Sequence, residues 1–154
     1  MNSTEHVVST SPFTIRRRVR FGECDPAGVV YTVRFSDYML SAMELFLAEM
    51  LGGTQAERWR ALGAGIRIKA LRFVFLAPLR PDDIFDMVVR VADVRRSSFD
   101  LAVVASSQDG RPAFEATISP ICVPLDGERR SVDIPAAFRE RLVGYQELFR
   151  KAES

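Results

Sequence analysis

The side chains most able to do chemistry lie in one short run, Phe21-Gly22-Glu23-Cys24-Asp25-Pro26-Ala27-Gly28-Val29-Val30-Tyr31. Pro26 disfavours the α conformation at Asp25, and Gly28 tolerates positive φ, so the segment is suited to holding Asp25 in a sharp turn. Asp-Pro-x-Gly is equally a common β-turn sequence, and taken alone it reads as structure. Its context adds a second reading, because the turn leads into a strongly apolar helix. The first N–H groups of a helix lack intrahelical acceptors and stabilise an oxyanion or a carbonyl oxygen.

The remaining composition narrows the mechanisms. His6 is the sole histidine among 154 residues and lies in a polar N-terminal stretch, which argues against Ser-His-Asp and Cys-His catalysis. Cys24 and Cys122 are the two cysteines, too far apart for a CxxC pair and too few for a disulfide framework, so metal-cluster chemistry lacks its ligands and no cofactor is expected. Without an imidazole partner, Cys24 reads as a packed thiol. A carboxylate or the backbone is left to carry any reaction. Lys69 and Lys151 are the only lysines, so the basic residues are nearly all arginines, which suit bidentate contacts to phosphate. A formal net charge of +1 argues against a nucleic-acid partner. Neither a signal peptide nor a run of about 18 apolar residues is present, so a cytoplasmic protein with no membrane contact is expected.

The elements that must position this run follow from periodicity. Phe13, Ile15, Arg17, Val19 and Phe21 alternate with Thr14, Arg16, Arg18 and Arg20, a period of two that predicts a strand before the turn. Arg16, Arg18 and Arg20 fall on its outer face. After the turn, Met39, Met43, Phe46 and Met50 recur at helical spacing over residues 35–51, with little polar surface beyond Asp37, Ser41, Glu44 and Glu49. This predicts a helix buried on most sides, its Met-rich face part of the core, stopped by Gly52-Gly53. Thr54-Gln55-Ala56-Glu57 reads as a capping box opening a short helix around Trp59. Strands are predicted over 66–75, 84–94, 99–106 and 113–123, joined by short turns as an antiparallel meander, with Pro120 marking a bulge or an edge. Pro135 opens a last helix with Phe138, Leu142, Tyr145 and Phe149 on one stripe. With 47% apolar and 27% charged residues, the sum is an α+β fold in a single domain over 13–151, preceded by a flexible tail over 1–12.

The run over 21–31 closely resembles the signature of the 4-hydroxybenzoyl-CoA thioesterase family of hotdog-fold acyl-CoA thioesterases, in which an aspartate precedes a Pro-Ala-Gly turn. Arg95-Arg96-Ser97-Ser98-Phe99 is similar to the basic turn before the fourth strand of that family, and Asp126-Gly127-Glu128-Arg129 with Ile134-Pro135 to its C-terminal stretch. The resemblance implies a five-stranded antiparallel sheet wrapped around a long central helix, and hydrolysis of a thioester between an acyl group and coenzyme A. Asp25 then takes the place of the catalytic carboxylate, as nucleophile through a mixed anhydride or as general base for water. Carboxylates are anionic at neutral pH without special tuning, so both roles are open. The Thr32 backbone amide falls where the family donates a hydrogen bond to the thioester oxygen, with Tyr31 and Val33 beside it against the substrate.

Further implications of the resemblance carry alternatives. Arg95, Arg96 and Ser98 either contact coenzyme A, the arginines by its phosphates, or form an ordinary solvated turn. Glu44 sits on the helix that bears a catalytic carboxylate in another hotdog branch, but with Asp25 present it reads as a hydrogen-bonded or subunit-interface residue. Thr32 and Arg34 depart from the family's usual residues. Leu40 stands where enzymes reading a phenol hydroxyl carry an acid, which disfavours 4-hydroxybenzoyl and favours a less polar acyl group. The family completes its acyl pocket with a second subunit, so a homodimer or homotetramer is expected. Two other readings stay open: a thioesterase acting on an acidic acyl carrier protein, and a non-catalytic hotdog module that binds acyl groups.

Overall fold

The computed structural model describes residues 4–153. The chain forms β1 (Glu5–Thr10), β2 (Phe13–Arg18), a 3-10 turn (Phe21–Glu23), α1 (Arg34–Leu51), α2 (Gln55–Leu62), β3 (Ala64–Phe75), β4 (Ile84–Val94), β5 (Phe99–Ser107), β6 (Pro112–Pro124) and α3 (Ala136–Glu153). The six strands make one sheet in the order β1-β2-β4-β5-β6-β3. The α+β class and the predicted helices and strands are therefore present, and β4 to β6 follow one another as a meander.

Several expectations need correction. Residues 5–10, taken as tail, form β1 and pair antiparallel with β2, with Val7 opposite Ile15 and Glu5 opposite Arg17. Short apolar content hid this strand, because a six-residue edge strand is fixed by its neighbour's N–H and C=O groups more than by its own side chains. Met1–Ser3 of the expected tail lie outside the described residues. β3 does not adjoin β4 as a full meander requires. It lies beside β6, while β2 occupies the place next to β4, with Ile15 opposite Met87 and Arg16 opposite Asp86. β6 is flanked by β5 and β3, so Pro120 is not on an edge strand. The period-two run ends early: the chain leaves the strand after Arg18 and turns at Phe21–Glu23, which leaves Phe21 84% exposed although its spacing matched the inward set. At α2, Thr54 is the N-cap but makes no side-chain capping bond. Gln55 instead donates to the Glu44 carbonyl and accepts from the Trp59 indole, so the buried Trp59 fixes the start of the helix.

The contacts group into two compact units, each discontinuous in sequence: residues 1–42, 73–89 and 103–116, and residues 43–72, 90–102 and 117–154. In the first unit, Phe35 and Tyr38 of α1 meet Phe114 and Phe85, with ring centroids 5.2 Å apart in each of those two pairs. Ile15, Met39 and Met87 are buried with them. This is the inward half of the β2 pattern and the helical stripe of α1 finding a common core. Each such buried side chain contributes about 1.5–3 kcal/mol. In the second unit, Phe138 of α3 packs edge-on against Trp59 (5.0 Å) and Phe99 (5.5 Å), and Phe46 against Tyr145 (5.0 Å). The predicted stripe of α3 is thus the face it buries. Gly52, at φ +74°, takes the left-handed conformation that ends α1, as the Gly-Gly stop predicts.

Candidate active site

The first unit builds a loop around Asp25. A bridge between Cys24 and Val30 closes it, the Asp25 N–H donates to the Val29 carbonyl (2.9 Å), and the Gly28 N–H donates to the Asp25 carbonyl (2.9 Å). Gly28 sits at φ +79°, a conformation that a residue with a Cβ enters only at a cost, which accounts for glycine there. The Asp25 side chain is oriented by its own turn: Oδ1 accepts the Ala27 N–H at 2.8 Å. Among the described residues Oδ2 has no hydrogen-bond partner, and the residue is half-buried. One oxygen is therefore anchored and the other is free to attack a carbonyl carbon or to take a proton from water.

The chain next enters α1. Tyr31 donates its N–H to the Glu23 carbonyl (3.0 Å), and the N–H groups of Arg34, Phe35 and Ser36 donate to the carbonyls of Tyr31, Thr32 and Val33. The N–H groups of Thr32 and Val33 have no backbone acceptor among the described residues. These are the orphan donors of a helix start, sited seven and eight residues beyond Asp25. Thr32 also lines an apolar cleft of about 330 Å³ whose other walls include Val30, Phe35, Phe75, Ala77 and Leu79. The Tyr31 and Val33 side chains are exposed. Arg34 is exposed as well and pairs with Asp37 at 3.3 Å.

Cys24 stands beside Asp25 and donates weakly to the Arg20 carbonyl (3.8 Å). Burial, and then the charges of Glu23, Asp25 and Asp83, push its thiol up, so it stays protonated at neutral pH and is a poor nucleophile. Cys122 is fully buried, and burial pushes its thiol up to about 11. Leu40 and Glu44 lie on the exposed side of α1.

The basic turn lies in the second unit and is largely occupied by its own bonds. Arg95 donates to Asp100 through both terminal nitrogens (3.0 and 2.6 Å), to Asp93 (2.9 Å) and, through Nε, to the Ser98 hydroxyl (2.9 Å). Ser98 is 3% exposed, and Asp100 also accepts from the Ser119 hydroxyl at 2.7 Å. Arg95 thus clamps the β4–β5 turn. Arg96, with its side chain 66% exposed, reaches Asp133 and the Ser131 hydroxyl. Asp25 and residues 31–33 share one unit, whereas Arg95, Arg96 and Ser98 form a cluster in the other.

Sequence reasoning missed a buried polar group behind the loop. Arg17 donates to Glu5 and to Glu23 (2.7 Å each), and Glu23 also accepts from the Arg20 N–H (2.8 Å) and the Tyr38 hydroxyl (3.2 Å). Burial works against the charge on Glu23, but these donors outweigh it and hold the carboxyl below its ordinary range. Burial, then the Glu23 charge, pushes the Tyr38 hydroxyl up, so it remains a donor. The available signal was Arg17 itself, a charge in the inward register of an otherwise apolar strand face.

The sequence matches the family model described as the Thioesterase-like superfamily over residues 19–142, which spans the loop, α1, the cleft and the basic turn. The chloroplastic acyl-acyl carrier protein thioesterase ATL3 of Arabidopsis thaliana is 29% identical over 133 residues, 85% of this chain and 67% of that protein. Among solved structures, a Staphylococcus aureus protein in complex with CoA superposes with a TM-score of 0.80 at 15% identity, covering 87% of this chain and 83% of its own. The 4-hydroxybenzoyl-CoA thioesterase of Pseudomonas sp. strain CBS-3 superposes with a TM-score of 0.75 at 24% identity, covering 83% and 96%. Both structures share the fold. An antiparallel sheet with a long helix, an aspartate turn at that helix's start and a family match across most of the length agree on one assignment: the chain belongs to the Thioesterase-like superfamily and carries the hotdog fold of thioester hydrolases.

Proposed function

We propose that the protein hydrolyses an acyl-CoA thioester, with Asp25 as the reacting carboxylate and the Thr32 N–H as donor to the thioester oxygen. The observation that carries this reading is a carboxylate anchored by one oxygen in the loop that leads to Thr32, a residue that lines an apolar cleft and whose N–H has no acceptor among the described residues. Acyl carbons enter the cleft, and the carbonyl oxygen meets the Thr32 N–H, which develops its strongest hydrogen bond as negative charge builds in the tetrahedral transition state. Asp25 Oδ2 either attacks the carbonyl carbon, expelling the CoA thiolate and leaving an anhydride for water to open, or removes a proton from attacking water. The absence of a charged group among the cleft's lining residues supports an apolar acyl chain.

The test is an acyl-CoA panel assayed for thiol release with wild type and Asp25→Asn. Activity in the wild type and its loss in the variant support the reading. A wild type inert on every acyl-CoA, or an asparagine variant of full activity, overturns it. Single-turnover hydrolysis in ¹⁸O-labelled water bears on the two roles: label in the Asp25 carboxylate marks an anhydride opened at the aspartyl carbon, and label in the released acid alone favours direct attack by water.

The similarity to ATL3 supports a second reading, in which the acyl group arrives on an acyl carrier protein. Exposed arginines such as Arg18, Arg20 and Arg96 suit an acidic carrier. Matched acyl-CoA and acyl-carrier substrates, compared by kcat/KM, decide between them. The working form in this proposal is a homodimer or a homotetramer. β3 is an edge strand that exposes Ile68, Leu71, Val74 and Phe75, an apolar edge that a second copy of the chain covers. A light-scattering mass of two or four times 17.3 kDa supports this, and a monomer at working concentration refutes it.

A further inference from the structure

Behind the Asp25 loop lies a polar cluster that the proposed chemistry does not itself use. Arg17 of β2 is charged in a strand face otherwise filled by Ile15 and Val19, and its guanidinium lies 4.7 Å from the centre of the Tyr38 ring. Its Nε is buried without an acceptor among the described residues. Glu5 of β1 takes one of its terminal nitrogens and also accepts the Ser41 hydroxyl of α1. Glu23 takes the other.

Well-packed apolar residues would fill such a site at less energetic cost than a buried ion pair with an orphaned N–H. The bonds of Glu23 suggest what the cluster does instead. Its carboxylate is held by β2 through Arg17 and by α1 through Tyr38, while its own carbonyl accepts the Tyr31 N–H at 3.0 Å. Tyr31 directly precedes the free N–H of Thr32, and Glu23 lies two residues before Asp25. One residue therefore ties both ends of the reacting loop to the strand before it and the helix after it.

Resting on the thioesterase reading, we propose that Glu23, gripped by Arg17 and Tyr38 and backed by Glu5, is a positioning residue that fixes the Asp25 carboxylate relative to the Thr32 N–H. Glu23 touches no substrate. Its effect is on geometry, so it alters turnover while leaving substrate affinity nearly unchanged.

The experiment combines kinetics with amide hydrogen exchange on Glu23→Gln and Tyr38→Phe. Glu23→Gln removes the charge that draws in Arg17 at nearly constant shape. It is expected to lower kcat by roughly 10²-fold, the scale of a 1 Å misplacement, with little change in KM. Tyr38→Phe keeps the ring packed on Phe35 and Phe85 and removes one donor, for a fall of about tenfold. In both variants the Asp25 and Tyr31 amides, bonded to Val29 and Glu23, exchange faster than in wild type. Wild-type kcat together with unchanged exchange overturns the proposal. So does lost activity with unchanged exchange, because the loop is then held without Glu23. If Glu23→Gln fails to fold, Tyr38→Phe decides by the same two measurements. A wild type that hydrolyses no thioester defeats the catalytic reading, and the exchange rates still decide whether Glu23 holds the loop.

Discussion

Replacing Thr32 with proline removes one hydrogen atom of mechanistic interest and little else. The Thr32 N–H has no acceptor among the described residues, so its loss breaks no internal hydrogen bond. The Thr32 carbonyl, which accepts the Phe35 N–H at 3.3 Å, is retained. Proline is well tolerated where a helix begins, because the missing N–H is an orphan there and the fixed φ suits the first turn. The folded state should therefore change by no more than about 0.5 kcal/mol, a Tm shift below about 2 °C for a chain of this length. Catalysis should change far more. Losing one oxyanion donor costs about 2.7–4 kcal/mol of transition-state stabilisation, a 10²- to 10³-fold fall in kcat. Thr32→Ala keeps the N–H and serves as the reference, expected within about threefold of wild type. The assay is thiol release from the best acyl-CoA of the panel, with thermal unfolding measured alongside. A Thr32→Pro protein that unfolds like wild type and turns over like Thr32→Ala refutes the oxyanion role.

Two further outcomes follow from the surroundings of Asp25 and from the buried carboxylates. Cys24→Ser should leave kcat nearly unchanged in the same thiol-release assay, since burial and neighbouring carboxylates keep the thiol protonated; a large loss would return Cys24 to the mechanism. Acid should unfold the protein through Glu23 and Asp100. Burial opposes the charge on Glu23, but its Arg20, Arg17 and Tyr38 donors lower its carboxyl, and Arg95, against burial, lowers that of Asp100. A carboxyl lowered in the folded state stabilises it above the unfolded value, about 3.9–4.3, and that stability is lost as pH falls through the folded value. Tm should thus hold steady down to about pH 5 and drop below about pH 4, with a shallower drop in Asp100→Asn; identical slopes in variant and wild type would contradict this.

The parts of the fold legible in the sequence are those fixed by local pattern. Met39, Met43 and Phe46 announced α1, and all three are buried. Gly52 announced where it stops, and its φ of +74° is the reason. The parts that were not legible depend on which strand lies beside which. Nothing between residues 64 and 94 states that β3 pairs with β6 and cedes its place beside β4 to β2, because strand order is set by burial of whole sheet faces and not by any one turn. β1 escaped for a related reason: its pairing partner, not its own composition, makes it a strand.

The same division runs through the site. Asp25 and Gly28 were readable because turn chemistry is local, whereas Thr32 was singled out by the family resemblance; in the structure the Ala27 N–H anchors the carboxylate, and the Thr32 N–H has no acceptor among the described residues. In sequence Arg95 stayed open between a phosphate contact and an ordinary solvated turn, because the partners of an arginine-rich turn are not visible there. In the fold Asp93 and Asp100 sit within reach and satisfy it, an ion-pair geometry that appears only once β4 and β5 are paired. Arg17 was the opposite case. Its place in the inward register was visible, and a charge in an apolar face requires a buried partner. Glu23, six residues on, was near enough in sequence to be that partner, whereas Tyr38 and Glu5 enter only through α1 and β1. A charge in the apolar register of its strand is therefore a better pointer to the loop's support than the conspicuous arginines of the surface turn.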